Sequence, residues 1–270
     1  MRKILKKVNL LRLAAVVIVG FLVGHILNNY QSIDNDYGIH FNWKEIKNDL
    51  ENEFIDAYND ANTFNIYSLL DIKYSGIQVE EINNNTPVFE EKEIQFAKEN
   101  GPYEQYSKKD LFGRCGSAIA YIDKNMMPTA ERESIGTIKP TGWHTYNTKE
   151  KWNVILPTSN FYLYNRCHLI AYCLTGENAN ENNLITGTDQ MNQAMLPYEI
   201  QIAQYVETHD TPVLYKVTPV FSSVDLLARG VLIQAMTIEN NDISFCVYIH
   251  NAQDGFEIDY SSGEATYKGE

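Results

Sequence analysis

The segment from residue 164 to residue 208 constrains the fold most, because two short apolar runs and a polar loop lead directly into a helical pattern. Residues 164–170 (YNRCHLI) are mostly apolar or aromatic and predict a strand, and residues 184–188 (LITGT) predict a second one. The loop between them, residues 175–183, is rich in Asn and Glu. A helical stretch opens at residues 189–192, and residues 196–208 predict a helix with Pro197 in its first turn. We therefore expect two strands followed by helical segments that pack on them, with Pro197 kinking or interrupting the helix before Glu199.

The rest of the C-terminal part is rich in strand patterns. Residues 212–221, 226–238 and 243–249 carry Val, Ile, Leu and Tyr between turn residues, which predicts a mixed α+β domain with a central antiparallel sheet. The turn-forming cluster NNNTP at residues 83–87 marks a boundary, so we predict a domain at residues 84–270. Residues 31–83 predict an acidic helical spacer. Its apolar stripe along residues 43–61 favours a stalk or packing helix, with a partner-binding helix as the alternative.

Residues 1–30 have the order of residue types seen in a secretory signal peptide or a signal anchor. Five basic residues lie within residues 1–12, and the apolar, uncharged run LAAVVIVGFLVGHIL follows at residues 13–27. This run is shorter than the roughly 20 residues of a full membrane span. No A-x-A cleavage site follows, which favours an uncleaved hydrophobic helix that contacts the membrane through residues 8–29. The positive-inside rule then predicts the extracellular face of the membrane for the rest of the chain, or secretion if the segment is cleaved.

The charge of the chain excludes one class of nucleic-acid-binding protein. The chain has 22 Lys and Arg residues against 35 Asp and Glu residues, a net charge of −13. Residues 1–30 contain Lys and Arg but no Asp or Glu. Proteins that coat DNA neutralise phosphates with a broad basic surface, which this chain lacks. An enzyme that holds one phosphate through a metal ion and an Arg remains compatible. The four Cys residues contain no C-x-x-C pair, and the sequence leaves their pairing in disulfides open.

The first predicted strand carries the residues with the clearest chemistry. Arg166 and His168 share one face of a strand, while Asn165 and Cys167 take the other face. Histidine titrates near neutral pH and suits proton abstraction, and Arg forms forked contacts with phosphate. Because Cys167 and His168 point to opposite faces, a zinc site or a Cys nucleophile built from this pair is disfavoured. The polar loop at residues 175–183 lacks the ligand spacing of a calcium loop.

Several longer motifs carry a resemblance to a known family. They are NRCHLI, LTGENAN, NLITGT and MNQAMLPYE within residues 165–199, FGRCGSA at 112–118, MPTAER at 127–132, SIGTIKPTGW at 134–143, VLYKVTPVF at 213–221 and IDYSSG at 258–263. Together they resemble the DNA/RNA non-specific endonucleases, most of all the secreted or surface DNases of streptococci and related Gram-positive bacteria. The resemblance covers about residues 85–263. Many relatives have the motif D-R-G-H at this place. This chain has N-R-C-H, with Asn165 in place of the Asp and Cys167 in place of the Gly.

The resemblance implies a ββα-metal (His-Me finger) nuclease fold with a set of site residues. His168 stands at the position of the general base that takes a proton from the attacking water. Asn192 stands at the position of the single protein ligand of Mg²⁺, for which Mn²⁺ can substitute. Arg166 is expected to contact the scissile phosphate. Glu199 is expected to hold a metal-bound water or to place the phosphate, and Asn183 is a weaker candidate for contact with the substrate or a metal-bound water.

These expectations combine into one function and one alternative. The predicted function is a Mg²⁺-dependent endonuclease that hydrolyses phosphodiester bonds of DNA, and of RNA as a second substrate. Contact with the phosphate backbone alone would explain cleavage without sequence preference. The alternative is a non-catalytic cell-surface module that binds nucleic acid or protein and has kept the nuclease fold.

Overall fold

The computed structural model describes residues 65–143 and 162–269. The predicted membrane segment at residues 1–30 and the predicted spacer helix at residues 43–61 lie outside the described residues. The sheet and the site belong to a compact unit, Ile66–Glu270. This unit takes in residues 66–83, which precede the predicted domain boundary, and the boundary itself stays a prediction. No helix within the described part of the chain is long and apolar enough to cross a membrane.

The described residues form ten strands and three α-helices. The strands are β1 (Val79–Glu81), β2 (Tyr103–Tyr106), β3 (Ala118–Ile122), β4 (Tyr164–His168), β5 (Leu184–Thr188), β6 (Val213–Val220), β7 (Gly230–Thr237), β8 (Ser244–His250), β9 (Phe256–Asp259) and β10 (Glu264–Tyr267). The α-helices are α1 (Glu91–Asn100), α2 (Tyr172–Thr175) and α3 (Asp189–Thr208). Three short 3-10 helices lie at Ile66–Asp71, Asn83–Asn85 and Lys124–Met126.

Six of the strands form one antiparallel sheet in the order β1-β8-β7-β6-β3-β2. The predicted mixed architecture with a central antiparallel sheet is therefore confirmed. Successive side chains of a strand point to opposite faces, and Val213, Tyr215 and Val217 of β6 accordingly enter the main core from one face. The opposite face carries Leu214, which packs with Ala97 of α1. The sheet thus has a covering element on each face.

The two strands predicted around the polar loop form a separate antiparallel hairpin. β4 pairs with β5 so that Arg166 lies opposite Thr186 and His168 lies opposite Leu184. The second strand is observed at the predicted residues, and the first ends at His168. This hairpin presents Arg166 and His168 on one face, as the alternation of side chains predicts.

Helix α3 begins where β5 ends. The side-chain oxygen of Thr188 accepts a hydrogen bond from the amide of Met191, which caps the helix, and its hydroxyl donates to the carbonyl of Ala252. The side chain of Asn251 accepts from the amide of Thr188. The strand–helix junction is therefore fixed to the chain that follows β8, which sets the direction in which α3 leaves the hairpin.

The prediction that Pro197 interrupts the helical stretch was wrong. Asp189–Thr208 is a single helix with Pro197 inside it. Proline deprives the carbonyl four residues earlier, that of Gln193, of its helical partner. Both Pro197 and Gln193 are exposed, so water can hydrate that carbonyl and the helix continues.

The hairpin, α3 and the six-stranded sheet share one apolar core. Met191, Met195 and Ile202 of α3 pack in a single cluster with Cys167 of β4 and with the core face of the sheet. Cys167 is fully buried there, on the side of β4 away from His168. All four cysteines, Cys115, Cys167, Cys173 and Cys246, are free thiols. This core holds the helix against the hairpin and so fixes the distance between the site residues that each carries.

Candidate active site

The imidazole of His168 is held by two neighbours on opposite sides of the ring. Its Nε2 lies 2.8 Å from the carbonyl oxygen of Asn178, and its Nδ1 lies 3.2 Å from Nη2 of Arg132. A carbonyl only accepts and a guanidinium only donates, so Nε2 carries the proton and Nδ1 carries the lone pair. Burial lowers the pKa of His168 and the charge of Arg132 lowers it further, although the hydrogen bond to Asn178 acts in the opposite sense. The ring is thus a neutral base at pH 7.

Arg132 is a site residue that the sequence analysis did not assign. It lies within the motif at residues 127–132, but it is far along the chain from His168 and no strand or helix pattern places it. The residue is exposed, and its guanidinium reaches the lone-pair side of the His168 ring. Its positive charge also lowers the pKa of Glu199. The family motif was the only signal that could have drawn attention to it.

Arg132 belongs to an irregular segment, residues 130–143, that we call the strap. Two side chains fasten the end of the strap that carries Arg132. The hydroxyl of Tyr172 donates to the carbonyl of Ala130 at 2.8 Å, and the side-chain amide of Asn178 donates to the carbonyl of Glu133 at 3.0 Å. Asn178 therefore positions two groups at once, since its own carbonyl accepts from His168.

Arg166 lies under the other part of the strap. Its Nε donates to the carbonyl of Ile138 and its Nη2 donates to the carbonyl of Gly136 at 2.9 Å. The guanidinium carbon lies 4.0 Å from the centre of the Trp143 ring, a cation–π contact. The guanidinium of Arg166 thus binds the strap. Its expected contact with the scissile phosphate stays a prediction.

Asn192 and Glu199 lie on one side of α3. They are seven residues apart, which is close to two helical turns, so their side chains point in nearly the same direction. Asn192 is half-buried, and its side chain has no hydrogen bond to another described residue. Glu199 is 7% exposed, and burial raises the pKa of its carboxyl to about 7, while Arg132 opposes that rise. An amide and a buried carboxyl are thus available beside the hairpin.

Asn183 is placed differently from the other predicted site residues. It is fully buried, and both ends of its side-chain amide are bound to the backbone of Ile170. The side chain accepts from the Ile170 amide at 2.8 Å and donates to the Ile170 carbonyl at 2.9 Å. Asn183 thereby closes the loop that carries Asn178, and direct contact with substrate stays a prediction that this geometry does not favour.

The donor groups at the site fit a hard divalent cation. Within residues 65–143 and 162–269, no group of three or more His, Cys, Asp or Glu side chains is arranged to hold a metal ion. Helix α3 instead carries the side-chain amide of Asn192, which has no hydrogen bond to another described residue. The carboxyl of Glu199 lies farther along the same side of the helix. Mg²⁺ prefers oxygen ligands and keeps several of its waters, so one amide oxygen and few other protein ligands suffice.

Comparisons with known proteins agree with this arrangement. The family model described as DNA/RNA non-specific endonuclease matches residues 94–238. A curated deoxyribonuclease from Streptococcus dysgalactiae subsp. equisimilis is 34% identical over an alignment of 194 residues, and the match covers 58% of this chain and 59% of that relative. The chain therefore spans less than two thirds of the length of the curated relative.

Two solved nuclease structures have the same overall arrangement. NucA from Streptococcus agalactiae, solved with a magnesium ion bound, has a TM-score of 0.60 and 25% identity, covering 72% of this chain and 90% of NucA. The Sda1 nuclease, solved with a bound zinc ion, has a TM-score of 0.55 and 26% identity, covering 70% of this chain and 96% of Sda1. With a family model that matches more than half of its residues, this chain belongs to the DNA/RNA non-specific endonuclease family.

Proposed function

We propose that the protein is a Mg²⁺-dependent endonuclease of the ββα-metal type that hydrolyses phosphodiester bonds of DNA, and of RNA as a second substrate. The observation that carries the proposal is the state of His168. Its Nε2–H is bound by the Asn178 carbonyl, and its Nδ1 lone pair faces the guanidinium of Arg132. Burial and the nearby positive charge keep the ring neutral and therefore able to accept a proton.

His168 would act as the general base at Nδ1. A water molecule that approaches the phosphorus atom must hydrogen-bond to this nitrogen, so Arg132 has to yield part of its present contact. The hydrogen bond to Asn178 then becomes stronger, because the ring turns positive as it takes the proton and a charged donor binds a carbonyl more tightly. Asn178 would thus stabilise the protonated base without taking part in proton transfer.

Arg132 would hold the phosphate. A guanidinium that leaves Nδ1 by a small rotation can donate two parallel hydrogen bonds to phosphate oxygens while staying beside the base. This places the electrophile next to His168 and stabilises negative charge that develops on the phosphate. The contact is to the backbone of the nucleic acid, which accounts for cleavage without sequence preference.

The metal ion would be held at α3. Asn192 supplies a direct oxygen ligand, and Glu199 lies on the same side of the helix, where its carboxylate can bind a water of the ion's hydration shell. When bound, the ion supplies Lewis-acid stabilisation of the phosphate and the leaving oxygen. Bound magnesium and zinc in NucA and Sda1 support a divalent-cation site in this chain.

The activity can be tested with supercoiled plasmid and the purified full chain in detergent. With Mg²⁺ we expect nicked and then linear DNA, and with EDTA we expect intact plasmid. The His168→Ala variant should lose about 100-fold to 10,000-fold of the rate while it still binds DNA. His209→Ala is a matched control, because His209 is an exposed residue at the far end of α3. Intact plasmid with the wild-type chain and Mg²⁺ would favour a non-catalytic binding module instead.

Export remains part of the proposal. We propose that residues 1–30 direct the protein to the outer face of the membrane as an uncleaved anchor, or release it if they are cleaved. The support is the order of basic and apolar residues in the sequence. Fractionation of cells that produce the chain separates the two forms. Full-length protein in the membrane fraction indicates the anchor, and a shortened chain in the medium indicates cleavage.

A further inference from the structure

We propose that Arg166 is a positioning residue that holds the strap in place so that Arg132 reaches His168. This inference rests on the proposed nuclease function for its kinetic consequences. It changes the role that the family motif suggests for an Arg two residues before the base.

The contacts of Arg166 use the Nε–Nη2 edge of its guanidinium. Nε and Nη2 bind two strap carbonyls, those of Ile138 and Gly136, and one face of the guanidinium is covered by Trp143. A phosphate that bound this edge would have to displace one or both carbonyls, which would then lose their partner. Arg132 differs from Arg166 in this respect, because it is exposed and its hydrogen bond is to the ring of His168 and not to backbone carbonyls.

The cross-strand neighbour of Arg166 makes the same kind of contact. Thr186 lies opposite Arg166 in the hairpin, and its hydroxyl donates to the strap carbonyl of Thr141 at 2.9 Å. One face of the hairpin therefore binds three carbonyls of the strap, at Gly136, Ile138 and Thr141. His168 follows two residues after Arg166 on that face, so the hairpin that carries the base also fixes the strap.

The strap connects these contacts to Arg132. Only three residues lie between Arg132 and Gly136, and Asn178 fastens this stretch by donating to the carbonyl of Glu133. Loss of the Arg166 contacts would free the strap between residue 134 and Thr141, which Thr186 still binds. Arg132 would then sample positions away from His168, because an irregular segment with few backbone hydrogen bonds of its own is ordered by what holds it.

Lysine and neutral variants at position 166 separate positioning from charge. Lys keeps the positive charge but has one compact ammonium group, so it cannot bind two carbonyls in a plane and stack on Trp143. If Arg166 positions the strap, Arg166→Lys and Arg166→Ala should both lower kcat by about 10-fold to 100-fold with KM within about twofold. Trp143→Leu, which removes no charge, should lower kcat in the same way. Rescue by Lys would overturn the proposal.

A double-mutant comparison tests whether Arg166 acts through Arg132. In an Arg132→Gln background, Arg166→Ala should change kcat by less than about twofold, because residues that act as a unit are not additive. The slope of log binding constant against log salt concentration should also stay unchanged in that background. A direct phosphate contact would instead give additive losses and reduce the slope by about 0.9.

Hydrogen exchange measures the strap without any need for activity. Arg166→Ala should speed exchange of peptides from residues 134–143 by at least about tenfold, while peptides from β7 keep the wild-type rate. Lys139→Ala is the matched control, since it removes a positive charge from the exposed side of the strap. Unchanged exchange in Arg166→Ala would overturn the proposal. Faster exchange in a chain that cleaves no DNA would support the positioning role and refute the proposed function alone.

Discussion

Nη2 of Arg132 lies 3.2 Å from Nδ1 of His168, on the side of the ring opposite the carbonyl that binds Nε2. The relationship joins the proposed general base to the group that would hold the phosphate, although 35 residues separate them in sequence. It also means that the charge of Arg132 tunes the proton affinity of the base. Changes to Arg132 should therefore alter both the size and the pH dependence of the rate.

We expect Arg132→Gln to lower kcat by about 100-fold to 1,000-fold, the loss typical of removing one group that stabilises transition-state charge. Burial and Arg132 both lower the pKa of His168, so the base stays deprotonated below the ordinary pKa of about 6.5. Removing the positive charge raises the pKa of His168. The acidic limb of the kcat/KM profile should then move to higher pH.

The measurement is a pH–rate profile at saturating Mg²⁺ from pH 4.5 to pH 8. Lys139→Gln serves as the control, because it removes a positive charge from the same strap. The side chain of Lys139 has no hydrogen bond to a described residue. An acidic limb at the same pH in Arg132→Gln and in the wild type would show that Arg132 does not act on the base.

Asn192 should govern the affinity for the metal ion. Replacing it with Ala removes the oxygen donor and should raise the Mg²⁺ concentration for half-maximal activity by at least about tenfold. Asn192→Asp keeps an oxygen at the same position and should retain metal binding. Calorimetric titration with Mn²⁺ gives the affinity apart from turnover. Gln193→Ala on the neighbouring, exposed side of α3 should bind like the wild type, and equal affinity in Asn192→Ala would exclude Asn192 as a ligand.

Glu199 should make the metal-free protein less stable as the pH rises. Burial raises the pKa of its carboxyl from 4.5 to about 7, so the folded state binds more protons than the unfolded state between these values. The free energy of unfolding contributed by this group therefore falls as the pH rises from about 4.5 to 7. Glu199→Gln removes the penalty and should be more stable than the wild type at pH 8, by up to about 3 kcal/mol.

Urea unfolding in EDTA at pH 5 and at pH 8 gives the comparison. The advantage of Glu199→Gln should shrink towards pH 5, where the wild-type carboxyl is protonated. Glu207→Gln, at an exposed position on the same helix, is the matched control. A stability difference for Glu199→Gln that is equal at both pH values would mean that the carboxyl is not held in its neutral form.

Local sequence patterns were sufficient to place the hairpin and the start of the helix. Short apolar and aromatic runs predicted β4 and β5, and the second strand is observed at the same residues, Leu184–Thr188. The shared face of Arg166 and His168 follows from the period of a strand alone. The continuity of α3 through Pro197 did not follow from the pattern, because it depends on which side of the helix faces water.

The strap shows why the rest of the site could not be read from the sequence. Residues 130–143 have no apolar period, and their position depends on hydrogen bonds from Tyr172, Asn178, Arg166 and Thr186 to backbone carbonyls. Backbone carbonyls are the same in every residue, so such contacts leave no trace in residue types. Arg132 was therefore not assigned from the sequence, and the expected contact of Arg166 with the scissile phosphate stays a prediction.

Gly187 should be essential for the packing of the hairpin on α3. A Cβ atom at this position would clash with the Sγ atom of Cys167 and with the terminal methyl of Met191. Both atoms would lie closer to it than neighbouring atoms lie to real Cβ atoms. Cys167 is fully buried in the core and cannot move away, although the end of the Met191 side chain can adjust. Gly187→Ala should therefore overpack this junction and lower the free energy of unfolding by about 1–3 kcal/mol.

Thermal unfolding tests this expectation, with a fall of about 2–4 °C in the midpoint for each kcal/mol. Gly136→Ala is the matched control, because a Cβ there meets only the Ser134 hydroxyl at an ordinary distance of 3.4 Å. Combining Gly187→Ala with Met191→Ala should cost less than the two separate losses together, since the second change makes room for the added methyl group. Full additivity would show that the methyl group does not meet Met191, and an unchanged midpoint in Gly187→Ala would show that the junction is not tightly packed.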